Sequence, residues 1–316
     1  MHVSDALISP PVAIFTGSIA VSLIAIASRK IKNNDRPDLV PLMGIMGAFV
    51  FAAQMINFTI PGTGSSGHLI GGVLLSAILG PWCAFITLSS ILIVQCLIFG
   101  DGGLLALGCN VVNMAATSCL IAYPLVYRPI VGRKNSNGRI LLGSILSSVL
   151  ALELGALFVT CETEFSGITA LPFSTFTKFM LPIHFVIGLI EGIVTASLLL
   201  FVAHNRPKML FNQYLYNNTK DYKKKFNAVI ITFLALTVIM AGGFSVLASQ
   251  NPDGLEWSVD KVAGLENFQS EMPSTVIIPE YDSSFAGILG AVIVMVILWG
   301  VSSLIFSKFR KKTESK

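Results

Sequence analysis

The sequence predicts an all-α membrane protein, a polytopic helix bundle of about nine transmembrane helices. Hydrophobic residues make up 53% of the 316-residue chain and charged residues only 12%, and the mean hydropathy is +0.76. Soluble domains carry about 25% charged residues. The basic residues are also confined to loops between apolar segments, which is typical of membrane topology and not of nucleic-acid binding. We therefore expect a multi-pass protein of the cell membrane.

Nine apolar segments define the predicted spans. The segment that begins at His68 is too long for one straight helix, and Gly80 and Pro81 lie in its middle. Because proline removes a backbone donor and breaks a helix, we predict two short spans there. The spans lie near residues 10–28, 37–58, 68–80, 81–98, 104–127, 139–160, 174–204, 226–248 and 285–307.

The distribution of positive charge supports this count. With nine spans, every lysine and arginine except Lys178 and Lys261 falls on one side of the membrane. Cytoplasmic loops are enriched in these residues, whereas a single span over 68–98 would place basic loops on both faces. The amino terminus is therefore predicted outside and the carboxyl terminus in the cytoplasm.

Three parts follow one another along the chain. Residues 1–204 form a seven-span part, 205–225 a basic cytoplasmic linker, and 226–316 a two-span part with an external loop over 249–284. An acidic outer loop would attract cations, although a plain solvated loop explains it equally well. Lys261 is the one basic residue of this loop. The acidic residues of the loop are Asp253, Glu256, Asp260, Glu266, Glu271, Glu280 and Asp282.

The first two residues, Met1 and His2, carry the chemistry that points to metal. Residues 1–16 contain no lysine or arginine, so the basic start of a signal peptide is absent, and we expect a free amine at Met1. That amine, the His2 amide and the His2 imidazole can form fused chelate rings. Three nitrogens in a plane leave one position open, and square-planar nitrogen sites select Ni(II) or Cu(II).

His68 is the predicted fourth ligand, because its loop faces the same external side as His2. The preceding glycines, Gly62, Gly64 and Gly67, match the spacing of a dinucleotide-binding loop. That function requires a βαβ unit, whereas this loop joins two membrane spans. We therefore interpret the glycines as a tight turn that brings His68 over the mouth of the bundle.

Ionisable residues inside the spans are further candidates. His184 and Glu191 lie on the same face of one predicted helix. Each of them, like Glu153, has either a functional role or a structural role in helix packing. A stripe of small residues, Gly44, Ala48 and Ala52, allows close approach of another helix, either within this chain or from a partner subunit. The five cysteines lack paired spacing and are interpreted as small core residues, neither disulfides nor a zinc site.

Several motifs in order resemble the CbiM/NikM substrate-binding components of energy-coupling factor transporters. They begin with Met1-His2-Val-Ser-Asp-Ala-Leu-Ile-Ser-Pro10, and the likeness covers about residues 1–204. Pro252-Asp253-Gly254-Leu255-Glu256 resembles the small two-span N component of the PDGLE type. The other motifs are Gly67-His68-Leu-Ile-Gly71-Gly72, Gly80-Pro81, Asp101-Gly102-Gly103, Gly108-x-Asn110, Asn113-Met114, Leu181-Pro182-x-His184 and Gly188-x-x-Glu191-Gly192.

The resemblance implies a transporter component without catalytic cofactor, which binds Ni²⁺ or Co²⁺ through Met1, His2 and His68. It also implies a CbiQ/NikQ-like transmembrane coupling subunit and CbiO/NikO-like cytoplasmic ATPases, since this chain has no Walker sequence. The imported metal would serve cobalamin synthesis or nickel enzymes. The sequence does not decide whether nickel or cobalt is the transported metal. Two alternatives stay open at this point: a vitamin-binding component of the same transporter class, and an intramembrane metalloenzyme that uses His184 and Glu191.

Overall fold

The fold is known from a computed structural model, which describes residues 1–32, 39–132, 136–212, 226–243, 248–264 and 284–313. Each of the nine predicted apolar segments contains a helix, and a tenth, short helix lies in the predicted external loop. The helices are α1 (Pro10–Lys32), α2 (Leu39–Gln54), α3 (Gly72–Leu79), α4 (Pro81–Phe99), α5 (Leu107–Val131), α6 (Asn137–Ser166), α7 (Phe173–Asn205), α8 (Phe226–Gly242), α9 (Gly254–Ala263) and α10 (Ser284–Thr313).

The described residues form a mostly helical, multi-pass membrane protein. Six helices are long and apolar enough to cross a membrane: α1, α4, α5, α6, α7 and α10. Helices α2 and α8 are apolar but shorter, and α3 has only 8 residues. Six candidate spans are therefore established by length and composition, and the full count of nine stays a prediction.

The predicted break between α3 and α4 is present at Gly80. Its φ of +84° is one that L side chains rarely adopt, and Pro81 begins the next helix. A Cβ at Gly80 would lie 2.5 Å from Cε2 of Phe211. The start of the predicted linker therefore folds back onto the bundle, where the Tyr123 hydroxyl also donates to Asn212 at 3.1 Å.

A two-stranded hairpin departs from the all-α prediction. Strands β1 (Phe58–Ile60) and β2 (Ser65–Gly67) pair antiparallel between α2 and α3. The turn between them uses positive φ angles at Gly62 and Gly64, which only glycine adopts readily. Alternating apolar residues are too few here to predict strands, so a turn was predictable from the sequence and a sheet was not.

The small-residue stripe on α2 packs inside this chain. A Cβ on Gly44 would lie 3.2 Å from the carbonyl oxygen of Met295, and Ala48 and Ala52 are buried. Gly47, next to the stripe, makes a similar contact, since a Cβ there would collide with Cδ1 of Leu298. Both contacts come from α10, so the second predicted part of the chain packs directly against the first. Of the two interpretations of this stripe, the structure supports internal packing.

Helix α9 was not predicted and lies on the outside of the seven-helix part. Asp253 caps it, accepting hydrogen bonds from the amides of Leu255 at 2.8 Å and Glu256 at 3.1 Å. The Glu256 carboxylate accepts from the Asp253 amide at 3.3 Å, which completes a capping box. The helix packs on α7 through an edge-on contact of Trp257 with Phe179, with ring centroids 5.8 Å apart.

Candidate metal centre

The amino-terminal segment is threaded into the bundle and held there by backbone hydrogen bonds. Met1 is 3% exposed and Val3 is fully buried. The amide of Val3 donates to Asn110 Oδ1 at 2.7 Å, and its carbonyl accepts from Asn110 Nδ2 at 3.1 Å and from the Gly103 amide at 2.9 Å. The Asp101-Gly-Gly and Gly-x-Asn110 motifs therefore fix the position of the chain's first residues.

The side chain of Met1 occupies a space that Gly155 leaves open on α6. A Cβ on Gly155 would lie 2.5 Å from Met1 Cε and 2.6 Å from the carbonyl oxygen of Asn113. Any side chain here would therefore collide with the methionine. Gly155 was not singled out from the sequence, because its role arises from a contact between residues far apart in the chain.

His68 meets the amino terminus directly. Its Nε2 lies 2.8 Å from the Met1 nitrogen, and its Nδ1 lies 3.3 Å from the Leu69 carbonyl oxygen. A metal ion holds nitrogen ligands about 2 Å away, so two ligands at a right angle lie about 2.8 Å apart. The observed separation is that of a hydrogen bond from the Met1 ammonium to His68 Nε2, and it also equals the spacing of neighbouring ligands in a square-planar site.

His2 completes the predicted set. Its ring stacks on that of His68, with centroids 5.0 Å apart and planes inclined by 15°. Its Nδ1 lies 3.1 Å from Asp101 Oδ1, so this imidazole must turn from Asp101 before that nitrogen can join a chelate. In the described part of the chain, no three His, Cys, Asp or Glu side chains are arranged to hold a metal, so a site here requires the Met1 and His2 main-chain nitrogens.

Glu191 fixes the loop that carries His68. Its two carboxylate oxygens accept hydrogen bonds from the amides of Ile70 at 2.8 Å and Gly71 at 3.0 Å. The sequence left Glu191 between a functional role and helix packing. The structure instead gives it a loop-anchoring role next to the candidate ligands. Glu153 lies on α6 and is absent from the pocket described below.

Asp253, at the start of α9, reaches into the same site. Its Oδ2 forms an ion pair with the Met1 ammonium and lies 3.7 Å from His68 Nε2. The surrounding PDGLE turn docks on the hairpin: the Ser66 amide donates to the Pro252 carbonyl at 2.8 Å, and Trp257 Nε1 donates to the Thr63 carbonyl at 3.0 Å. From the sequence, Asp253 belongs to the acidic outer loop and to the motif over 252–256. Its spacing with Glu256 was a signal for the start of a helix, whereas its contact with Met1 had no local signal.

Burial and charge set the protonation of these groups. Burial lowers the pKa of His68 well below its usual value, and the Met1 ammonium and His2 add to this effect. Burial also lowers the pKa of His2, although Asp101 opposes it. Burial alone would raise the pKa of Asp253, but the Met1 ammonium and His68 outweigh it and hold that pKa well below its usual range. At neutral pH the site therefore offers two neutral imidazoles, while Asp253 balances the charged amine.

His184 faces the same pocket from α7. Its Nδ1 lies 2.8 Å from the Met180 carbonyl oxygen, and its Nε2 is buried without a hydrogen-bond partner in the described structure. The lining residues of the pocket are Met1, Gly67, His68, Ile70, Leu152, His184, Ile187, Asp253 and Gly254. The predicted pair of His184 and Glu191 is thus divided, with one side chain facing the pocket and the other anchoring the loop.

Two family profiles match this chain, one over each of its two helical parts. The family profile described as cobalt uptake substrate-specific transmembrane region matches residues 2–209, and the PDGLE domain profile matches residues 227–278. A relative from Archaeoglobus fulgidus carries the name fused nickel transport protein NikMN. It is 30% identical over 308 residues, which cover 93% of this chain and 96% of that protein.

Two further similarities each cover about two thirds of this chain. A cobalt transport protein CbiM from Sorangium cellulosum is 25% identical over 66% of this chain and 94% of its own. A crystal structure of a transition metal transporter superposes with a TM-score of 0.57 at 29% identity, covering 68% of this chain and 98% of that one.

Proposed function

The chain belongs to the family of cobalt uptake substrate-specific transmembrane regions, and from that premise we propose that it binds its metal through Met1, His2 and His68. As a family member it is a multi-pass membrane component of a cobalt/nickel uptake transporter, and not an enzyme. This membership argues against the metalloenzyme and vitamin-binding alternatives. The observation that carries the proposed site is the 2.8 Å separation of the Met1 nitrogen and His68 Nε2 beside the stacked ring of His2.

The proposed ligands are four nitrogens: the Met1 amine, the His2 amide, the His2 imidazole and the His68 imidazole. Binding displaces the Met1 proton and its ion pair with Asp253, and His2 Nδ1 turns from Asp101 toward the ion. Of the two candidate substrates we expect Ni²⁺ to bind more tightly than Co²⁺, because four planar nitrogens suit Ni(II). The name of the fused relative, which matches nearly the whole chain, supports the same choice.

The remaining predictions extend this proposal to the whole transporter. We propose nine spans with the amino terminus outside, and a division into a metal-binding part over 1–204, a linker over 205–225 and a two-span part over 226–316. The metal site then faces the exterior. A transmembrane coupling subunit and cytoplasmic ATPases would supply the energy for import, with the metal destined for cobalamin synthesis or nickel enzymes.

Calorimetric titration of Ni²⁺ and Co²⁺ into the purified full chain tests the site. Four forms are compared: the native amino terminus, a form extended by two residues ahead of Met1, His2→Ala and His68→Ala. We expect one tightly bound ion per chain in the native form and its loss in the other three. His204→Ala, a change of an exposed histidine on α7, is the matched control. Equal binding by the native and extended forms would show that the terminal amine is not a ligand.

A further inference from the structure

We propose that His184 Nε2 and the Asp253 carboxylate form a loading position, where the incoming metal ion is held before it enters the chelate. The inference rests on the proposed function, because it concerns the path of the ion to Met1, His2 and His68. It gives a role to His184, which the chelate does not use, and to the PDGLE turn.

The hydrogen bond of His184 fixes which nitrogen can bind a metal. Its Nδ1 faces the Met180 carbonyl at 2.8 Å, and a carbonyl accepts only from a protonated nitrogen. The proton of the neutral ring is therefore on Nδ1, and Nε2 carries the lone pair. Metal-binding histidines typically donate their other N–H to a carbonyl or carboxylate in this way. His68 has the same arrangement, with Nδ1 toward the Leu69 carbonyl and Nε2 toward the ligand site.

The lone pair of His184 points into a shared pocket and meets no donor. The residue is 1% exposed, and a buried imidazole nitrogen without a partner is unfavourable unless something else compensates. The neighbouring wall is the turn that carries Asp253: a Cβ on Gly254 would lie 3.3 Å from His184 Nε2. Glycine at this position therefore omits a Cβ that would be in tight contact with that nitrogen.

Asp253 supplies the second ligand and the connection to the chelate. Its Oδ1 accepts the capping hydrogen bonds of α9, so Oδ2 is the oxygen that faces the pocket. This Oδ2 pairs with the Met1 ammonium and lies 3.7 Å from His68 Nε2. An ion on Oδ2 and His184 Nε2 is therefore one ligand exchange from His68.

Two side-chain ligands hold an ion more weakly than four nitrogens, so the loading position exchanges its ion with the chelate. An intermediate of this kind lowers the barrier for entry and for exit alike. Removing it slows association and dissociation by the same factor and leaves the dissociation constant unchanged. A structural contact behaves differently, because its loss weakens the final complex.

Stopped-flow mixing of nickel sulfate with the full chain in detergent micelles separates these cases. The variants are His184→Gln and His184→Phe, with His204→Gln, on the exposed side of the same helix, as the matched control. We expect both rate constants to fall about tenfold in the His184 variants, with the dissociation constant unchanged. Since Nε2 makes no hydrogen bond in the described structure, neither variant removes a hydrogen bond of that atom. Thermal unfolding checks that each variant is folded.

Unchanged rate constants in either folded His184 variant would overturn the loading position. So would a dissociation constant raised through faster dissociation, or unfolding of both variants, since each assigns His184 to the final site or to the fold. His68→Ala is titrated in parallel. If it abolishes binding while the His184 variants behave as wild type, only the loading position fails; if it binds nickel normally, the proposed metal site itself is wrong.

Discussion

Both the amino group and the side chain of Met1 make contacts that define the candidate metal site. Its nitrogen lies 2.8 Å from His68 Nε2, and its methyl group fills the space beside Gly155. The thioether is thus an anchor that sets where the amine sits, since a ligand position depends on the packing behind it. The proposed metal binding by Met1 therefore depends on helix α6, which supplies none of the proposed ligands.

Gly155→Val tests this anchor. Because the added side chain would occupy the position of Met1 Cε, we expect the amine to be displaced and nickel affinity to fall about 10- to 100-fold. Calorimetric titration measures the loss. Gly138→Val, at a glycine of the same helix with open space around it, is the control; equal losses in both variants would show that the effect does not come from the contact between Gly155 and Met1.

Asp253→Asn tests the competition between the carboxylate and the metal. Nickel must break the ion pair between Asp253 and the Met1 ammonium before the amine can become a ligand, so removing that pair should tighten nickel binding several-fold. Asparagine retains the capping ability of the residue, which separates this effect from loss of α9. Weaker equilibrium binding by this variant would instead identify Asp253 as a ligand of the final complex.

Nickel affinity should also fall steadily as the pH decreases. Nitrogen ligands must be deprotonated to bind, and the lowered pKa values of His2 and His68 keep both imidazoles neutral to below their usual range. We therefore expect the loss of affinity between pH 8 and pH 6 to involve the main-chain nitrogens, which must lose protons when the metal binds. Titrations in buffers of different ionisation enthalpy count the protons released; pH-independent affinity would contradict nitrogen ligation.

At the scale of elements, the loop from His68 to Gly71 owes its place to helix α7. Glu191 accepts both loop amides, and charged hydrogen bonds of this kind contribute about 1.5–3 kcal/mol each. We expect Glu191→Ala to lower nickel affinity by about 10- to 100-fold, measured by titration with unfolding monitored in parallel. Glu164→Ala, on helix α6, is the matched control, and an unchanged affinity in Glu191→Ala would show that the loop holds its shape alone.

Apolar helices were predictable and the polar elements were not. Runs of hydrophobic residues and the Gly80-Pro81 break located nine helices, because burial in lipid demands them in the sequence itself. The hairpin and α9 depend on contacts between distant segments, such as Ser66 with Pro252. The candidate ligands followed from their coordination chemistry, whereas Gly155 and Asp253 act through packing and charge that no local pattern reveals.

At the scale of the whole molecule, the two parts of the chain meet along α2 and α10. Gly44→Leu would press on the backbone of Met295 and separate these helices, and overpacking of this kind costs about 1–3 kcal/mol. We expect a lower temperature of thermal unfolding. Gly300→Leu on α10, where the space is open, should leave it unchanged; equal stability of both variants would contradict close packing at this seam.

The contact between Asp253 and Met1 joins two parts that lie on one polypeptide. An intramolecular encounter has an effective concentration set by the connecting chain and not by the abundance of a second subunit. The Asp253 carboxylate is therefore present once for each amino terminus of the same chain, so each proposed metal site has its own acidic turn. Synthesis as a single chain makes that pairing one to one from the moment of translation, whatever the level of expression.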